Sequence, residues 1–195
     1  ADIPRLAALG VFADFQPYWL YPDESLNETI TSLIGPERNA RLYEMGSFER
    51  AGTRLVAGSD WPVSTPNPFI AIQVGMTRRD PADPNARVWN PDQRVSLDTL
   101  LKAYTIDGAT VNHRDKDTGS LEVGKAADFI IIDRNLFTIP PQEIGKTRVL
   151  ATFLDGEQAG GLDGLWHEAV HAGGQVFGHL MGHDIGRQGE DGRGR

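Results

Sequence analysis

Cysteine is absent from all 195 residues, which excludes a disulfide frame, a thiolate metal site and a thiol nucleophile. Any metal must then be held by His, Asp or Glu. No apolar run approaches the roughly 20 residues that cross a bilayer. The opening Ala1-Asp2-Ile3-Pro4-Arg5 has none of the features of a signal peptide, so a cytoplasmic location is the expectation. An initiator Met is missing too, and the chain reads as though it began in the middle of something. Positive charge is also scarce. The formal net charge of −8 argues against a nucleic-acid or anionic-membrane partner, which would need clustered Lys and Arg. What is there is the composition of an ordinary globular protein, 39% hydrophobic and 24% charged, long enough for one or two domains with a proper core.

The most informative stretch is Arg54-Leu55-Val56-Ala57-Gly58-Ser59-Asp60-Trp61-Pro62. Leu55, Val56 and Ala57 are continuously apolar, as in a strand covered on both faces, and Gly58 would let the backbone pass close to something. Ser59 and Asp60 follow at the strand's carboxyl end, where Pro62 prevents regular pairing from continuing. Chemistry in α/β proteins sits at such strand ends. Two readings of Asp60 stay open: a functional carboxylate, or an aspartate that closes a turn with its side chain.

Residues 2–9 open with a helix start: Asp2 can cap, Pro4 fits the first turn, and Leu6 and Leu9 share a face. Residues 11–16 form a short apolar strand interrupted by Asp14, with Gln16 at its end as Asp60 is at the next. Tyr18, Trp19, Leu20 and Tyr21 then form an aromatic cluster, read either as cover for the core or as a substrate-facing wall. Helical spacing covers residues 25–34 and 39–50, and Gly52 ends the second helix. Helix and strand thus alternate, which argues for a parallel sheet with helices outside it. A further helix is expected over residues 69–77, a polar loop over 78–92, and a helix over 97–110 with Ser96 as cap and Val95 packed on Leu100 as a staple. After His113 the texture changes. Residues 127–133 and 149–154 read as strands with no helix between them, closed by Asp155-Gly156. The domain reading is 1–113, 114–157, and a Gly- and His-rich tail over 158–195 expected to be largely disordered.

Gly58-Ser59-Asp60-Trp61-Pro62, the helix ending in Asp107-Gly108-Ala109, and above all the run from Thr118-Gly119-Ser120-Leu121-Glu122-Val123-Gly124-Lys125 to Ala127-Asp128-Phe129-Ile130-Ile131-Ile132-Asp133 resemble the carboxyl-terminal part of a metal-dependent amidohydrolase. More narrowly they resemble the third amidohydrolase family, which includes N-substituted formamide deformylase-like enzymes. The resemblance implies an α/β fold: the last part of a (β/α)₈ barrel, with residues 11–16 and 54–59 as strands seven and eight, plus the carboxyl-terminal strands of a small β-sandwich. It also implies a divalent metal, zinc by expectation, in the intact enzyme, and a small-molecule amide-type substrate. In such enzymes a His-x-His pair, a lysine or acid, two further histidines and a strand-eight aspartate hold the metal. Only the last maps onto this chain, as Asp60, the residue expected to touch the metal and to move the proton of its bound water. An acidic side chain suits that task because it is ionised at neutral pH. Gln16, Trp19 and Trp61 are the expected substrate-lining residues. A whole barrel takes about 250 residues and no histidine precedes His113, so the chain reads as a carboxyl-terminal piece, inactive alone, with exposed barrel edges that favour self-association. His113 reads as a surface residue.

Two competing readings remain. One is a non-catalytic half-barrel that serves in binding or assembly. The other is a zinc peptidase, because His167-Glu168-Ala169-Val170-His171 matches His-Glu-x-x-His. Against the second, the next ligand position falls on Phe177, His179 comes two residues late, and flanking glycines ill suit a rigid helix. His183-Asp184 resembles a phosphohydrolase signature whose partner residues are lacking.

Overall fold

Two apolar triplets set the architecture. Ala13–Phe15 (β1) and Leu55–Ala57 (β2) lie side by side as a parallel pair, with Ala13 opposite Leu55, Asp14 opposite Val56 and Phe15 opposite Ala57. The computed structural model describes residues 2–22, 30–83 and 85–161. Parallel neighbours need a crossover. Here it runs through short helices at Thr31–Ile34 (α2), Pro36–Asn39 (α3) and Met45–Arg50 (α4). Phe15 meets Phe48 of α4 edge to face at 5.4 Å, which fixes that side of β1 against the helix layer.

The helix after β2 is the most buried element. Pro68–Thr77 (α5) starts where the Asn67 side chain accepts the Phe69 N–H at 3.0 Å. Phe69, Ala71, Ile72, Gln73, Val74, Gly75 and Thr77 are all buried, so it is a helix covered all round rather than an amphipathic surface one. It packs on the 3₁₀ turn Pro17–Trp19, on Leu97–Tyr104 (α6) and on the 3₁₀ turn Pro141–Lys146. A Cβ on Gly75 would lie 3.0 Å from both methyl carbons of Leu100, so the glycine is what lets α6 come this close.

The segment after His113 holds an antiparallel sheet of Phe129–Ile132 (β3), Val149–Leu154 (β4) and Glu157–Gly161 (β5) in sequential order. Asp155 and Gly156, both at positive φ, turn β4 into β5. Phe129 stacks on Phe153 across the sheet at 4.4 Å. This segment shares the main core: Leu136 and Ile144 are buried in one cluster with Phe69, Ile72 and Leu100. The buried Gln73 side chain fastens it further, accepting the Gly145 N–H at 2.8 Å.

Several sequence expectations change. In the first helix, Ile3–Ala8 (α1), the Asp2 side chain does not cap but pairs with Arg5 at 2.9 Å, and Leu9 is exposed. Of the helix expected over 39–50 only α4 is realised: α3 ends at Asn39, residues 40–43 are turn, and Tyr43 sits in the left-handed region at φ 53. Of the helix expected over 25–34, α2 is the described part. The helix expected over 97–110 breaks at Thr105 (φ −127, ψ −100), after which Ile106–Val111 (α7) resumes. Asp107 there serves Arg54, whose Nε donates to it at 2.9 Å. Ser96 caps α6 as expected, accepting the Thr99 N–H at 3.2 Å, and Val95 and Leu100 are both buried. The tail expected to be disordered from residue 158 begins instead inside β5. The His167–His171 and His183-Asp184 motifs lie outside the described residues. Among the described residues no helix is long and apolar enough to cross a membrane.

The polar loop after α5 is organised by one side chain the sequence did not single out. Arg78, at φ 55, is 0% exposed. Its Nε donates to the Trp89 carbonyl at 3.1 Å and its Nη1 to the Tyr43 carbonyl at 3.2 Å, while the guanidinium stacks 4.8 Å over the Trp89 ring. Burial pushes its pKa down to about 10, so it stays charged at neutral pH. The carbonyls, the ring and the α5 carboxyl terminus stand in for a counter-ion. Nearby, a Cβ on Gly46 would come within 2.8 Å of the Gln93 backbone, which leaves room for glycine alone.

Two stability measurements follow from this packing. Replacing Leu100 with Ala should cost about 2–5 kcal/mol in urea unfolding, because the cavity would open under a helix that cannot move inward. Arg78→Lys should cost about 1–3 kcal/mol, since an ammonium cannot reproduce a planar fork stacked on an indole. A loss within ~0.5 kcal/mol for Arg78→Lys would mean the loop is held by other contacts.

Candidate functional site

Alternation along β1 decides which side chains face which way. Ala13 and Phe15 pack on the core, so Asp14 and Gln16 share the opposite face. The last rung of the pair is the Gly58 N–H donating to the Phe15 carbonyl at 3.1 Å. Gln16 therefore lies beside Gly58, immediately before the turn that carries Asp60. Gly58 was expected to permit a close backbone approach. Among the described residues nothing makes that approach: a Cβ built there would meet no described atom within 4 Å. The space beside it is open.

The turn after β2 is closed without the Asp60 carboxylate. Ser59 Oγ accepts the Trp61 N–H at 3.2 Å, the Ser64 hydroxyl donates to the Ser59 carbonyl, and the Asp60 carbonyl accepts the Val63 N–H at 2.8 Å. Asp60 stands in the left-handed region at φ 52, exposed, and its carboxylate has no hydrogen bond or ion pair among the described residues. Of the two readings of this aspartate, the turn-closing one loses its physical basis. Trp61 is 51% exposed beside it.

Gln16 is half-buried, with its backbone carbonyl accepting the Trp19 N–H at 2.9 Å and its side-chain amide unpartnered among the described residues. The aromatic cluster divides. Leu20 is fully buried and Tyr18 and Tyr21 pack against the core, meeting edge to face at 5.6 Å; these rings are core cover. Trp19 is half-buried outside that core cluster. The register places Gln16 and the Asp60 turn at neighbouring strand ends, while Trp19 and Trp61 extend the two loops that follow.

Asp14 was not singled out as a site residue. It is exposed, yet the strands still strip part of its hydration and raise its carboxyl above the ordinary value, against the lowering effect of the Phe15 N–H. Its signal in the sequence was a lone acid inside an apolar strand. The same field, with burial as the larger cause, holds the Tyr104 hydroxyl above its usual range.

As to a metal, among the described residues no group of three His, Cys, Asp or Glu comes together. His113 stands exposed at the end of α7 in left-handed backbone. A catalytic zinc normally takes three protein ligands and an open position. Asp60 alone does not make such a centre, and the donor set described does not fit a metal ion by itself.

Comparison with known proteins follows the same lines. The family model described as "Amidohydrolase family" matches residues 1–159. The Protein LONG AFTER FAR-RED 3 of Arabidopsis thaliana is 33% identical over 155 residues, covering 79% of this chain and 26% of that protein. The N-substituted formamide deformylase of Arthrobacter pascens is 30% identical over 120 residues, 62% of this chain and 22% of the enzyme. The chain thus spans about a quarter of the length of these relatives. Among solved structures, an uncharacterized metal-dependent hydrolase from Pyrococcus furiosus superposes with a TM-score of 0.50 at 27% identity, over 65% of this chain and 24% of that one. An adenosine deaminase from Xanthomonas campestris with bound zinc shares the fold alone, with a TM-score of 0.54 at 20% identity, over 88% and 38% of the two chains. By the extent of the family match and the run of motifs it contains, this chain, with its mixed helix-and-sheet fold, belongs to the amidohydrolase family.

Proposed function

We propose that the chain is the carboxyl-terminal part of a metal-dependent hydrolase that cleaves carbon–nitrogen bonds other than peptide bonds in small amide-type substrates. In this reading β1 and β2 correspond to strands seven and eight of a (β/α)₈ barrel, and β3, β4 and β5 belong to a small β-sandwich. The observation that carries it is the Asp60 carboxylate, exposed and without a partner among the described residues, in the turn directly after β2, within the span that matches the family.

Asp60 would do two things. It offers one oxygen ligand to a divalent ion, zinc by family resemblance, whose other ligands lie outside the described residues. It also accepts a proton at its carboxylate from the attacking water and returns it to the leaving nitrogen. A carboxylate already engaged in closing a turn could do neither without breaking its own contacts. Gln16, Trp19 and Trp61 line the substrate end. Because one ligand cannot hold an activated water in place, the chain alone should be inactive.

The test uses the 195-residue chain, isotope-labelled for NMR and titrated with Mn²⁺, an oxygen-seeking paramagnetic ion. The expected result is weak binding, roughly millimolar, with the earliest line broadening among the described residues at 59–61, abolished by Asp60→Asn. Broadening that leaves 59–61 untouched contradicts the ligand role. No metal-dependent amide hydrolysis is expected from the chain alone; measurable turnover would contradict the incomplete-centre reading.

A further inference from the structure

Two paired strands of three residues each leave little to fix how far one stands along the other. β2 is apolar and buried at all three positions, so its own pattern says little about which residue of β1 faces which residue of β2. The Asp60 turn is closed within itself, between Ser59 and Ser64, and is carried by β2 as a unit. Whatever sets β2 along β1 therefore sets where that turn stands.

At the opposite end of the pair is Arg54, directly before β2. Its carbonyl accepts the Ala13 N–H at 3.0 Å, the first rung between the strands. Its side chain reaches three partners. Nε donates to Asp107 Oδ1 at 2.9 Å, Nη2 donates to the same oxygen and to Thr110 Oγ1, the latter at 3.0 Å, and the guanidinium lies 4.5 Å over the Phe12 ring. Asp107 and Thr110 belong to α7, which packs on β2, and Phe12 directly precedes β1. One side chain thus joins the starts of both strands to a helix. An exposed ion pair alone would hold little. Here Asp107 is buried, and a planar fork with a ring against its face is far more restrictive than a point charge. The helix it grips is held from the other side. A Cβ on Gly119 would stand 2.6 Å from the Ala109 Cβ and 3.1 Å from the Ile106 Cα, so glycine is what lets the run after Thr118 seat on α7. Asp128 ties that run to the terminal sheet, accepting the Thr118 hydroxyl at 3.3 Å and the Asp155 N–H at 2.8 Å.

We propose that Arg54 is a positioning residue: by gripping α7 and the Phe12 ring at the starts of the two strands, it fixes the register of β2 on β1 and so holds the Asp60 turn in place at their far end. The inference rests on the reading of that turn as a catalytic strand end. Arg54 itself stands about 13 Å from Gly58 at strand rise, and acts only through the strand. A slip of one residue would break the Ala13 rung and carry the guanidinium about 3.3 Å along the strand from Phe12.

The experiment is amide hydrogen exchange of the isotope-labelled chain, read residue by residue by NMR. The reporter is the Gly58 N–H, bonded to the Phe15 carbonyl at 3.1 Å, and the amide of the buried Val74 in α5 is the standard for global unfolding. Arg54→Ala and Asp107→Ala should each speed Gly58 exchange about tenfold while Val74 is unchanged. The double variant should be no faster than either single one, because the two residues act through one contact. Arg54→Lys keeps the charge without the fork and should stay closer to Arg54→Ala than to the parent. Thr110→Val removes a single acceptor and should speed Gly58 about threefold; it decides the matter if the alanine variants do not fold. Unchanged Gly58 exchange, a rise matched by Val74, or additive effects in the double variant would each overturn the proposal. The Mn²⁺ titration separates this inference from the reading beneath it. A parent chain without a response at 59–61 overturns the metal role of Asp60, while the exchange series still decides what Arg54 does. A parent that responds, with the response unweakened in Arg54→Ala, overturns the positioning role alone.

Discussion

Everything at the site depends on a three-residue parallel pairing. Ala13, Asp14 and Phe15 lie against Leu55, Val56 and Ala57, and one further rung joins Gly58 to Phe15. Because side chains alternate, a slip of one residue would send Asp14 and Gln16 into the helix layer and bring Phe15 out. The Phe15–Phe48 contact and the burial of Leu55 oppose that slip. α5, the most buried helix, packs on the 3₁₀ turn Pro17–Trp19 that directly follows Gln16. The alignment of Gln16 with the start of the Asp60 turn is thus a consequence of core packing some distance away.

What could be read in the sequence was mostly local. The apolar triplets, the Ser96 cap and the strand that stops at Asp155-Gly156 each announce themselves within a few residues, because caps, turns and buried strands are short-range physics. What could not be read depends on partners far along the chain. Tyr43, in left-handed backbone, interrupts a stretch whose spacing looks helical, and its carbonyl accepts from Arg78, 35 residues away. Thr105 breaks another, and Asp107 beyond the break takes Arg54. A buried arginine is written in the sequence as one more polar loop residue. The strand Glu157–Gly161 was hidden by composition: glycine-rich segments read as disordered, yet pairing with β4 overrides that preference.

The strand-end positions of Asp60 and Gln16 were legible, the first from the abrupt stop of an apolar run in Gly-Ser-Asp and the second from the same logic one strand earlier. The close approach expected at Gly58 is not made by any described residue, because nothing local distinguishes a glycine that admits a neighbour from one that leaves a gap. The tyrosines near Trp19 were ambiguous for a similar reason, and only the packing on Leu20 and α5 separates core cover from crevice wall. Kinship came through strongly because it resides in contiguous motifs. A metal centre did not, since among the described residues no group of three His, Cys, Asp or Glu comes together.

The central claim is the register that carries Gln16 and the Asp60 turn to the same edge. The most direct measurement is the pattern of inter-strand nuclear Overhauser effects in the isotope-labelled chain. The account predicts contacts of the Gly58 amide proton with the α-protons of Phe15 and Gln16, together with Val56 to Asp14. Contacts displaced by one residue, joining Gly58 to Asp14 or Pro17, would put Gln16 on the buried face and contradict it.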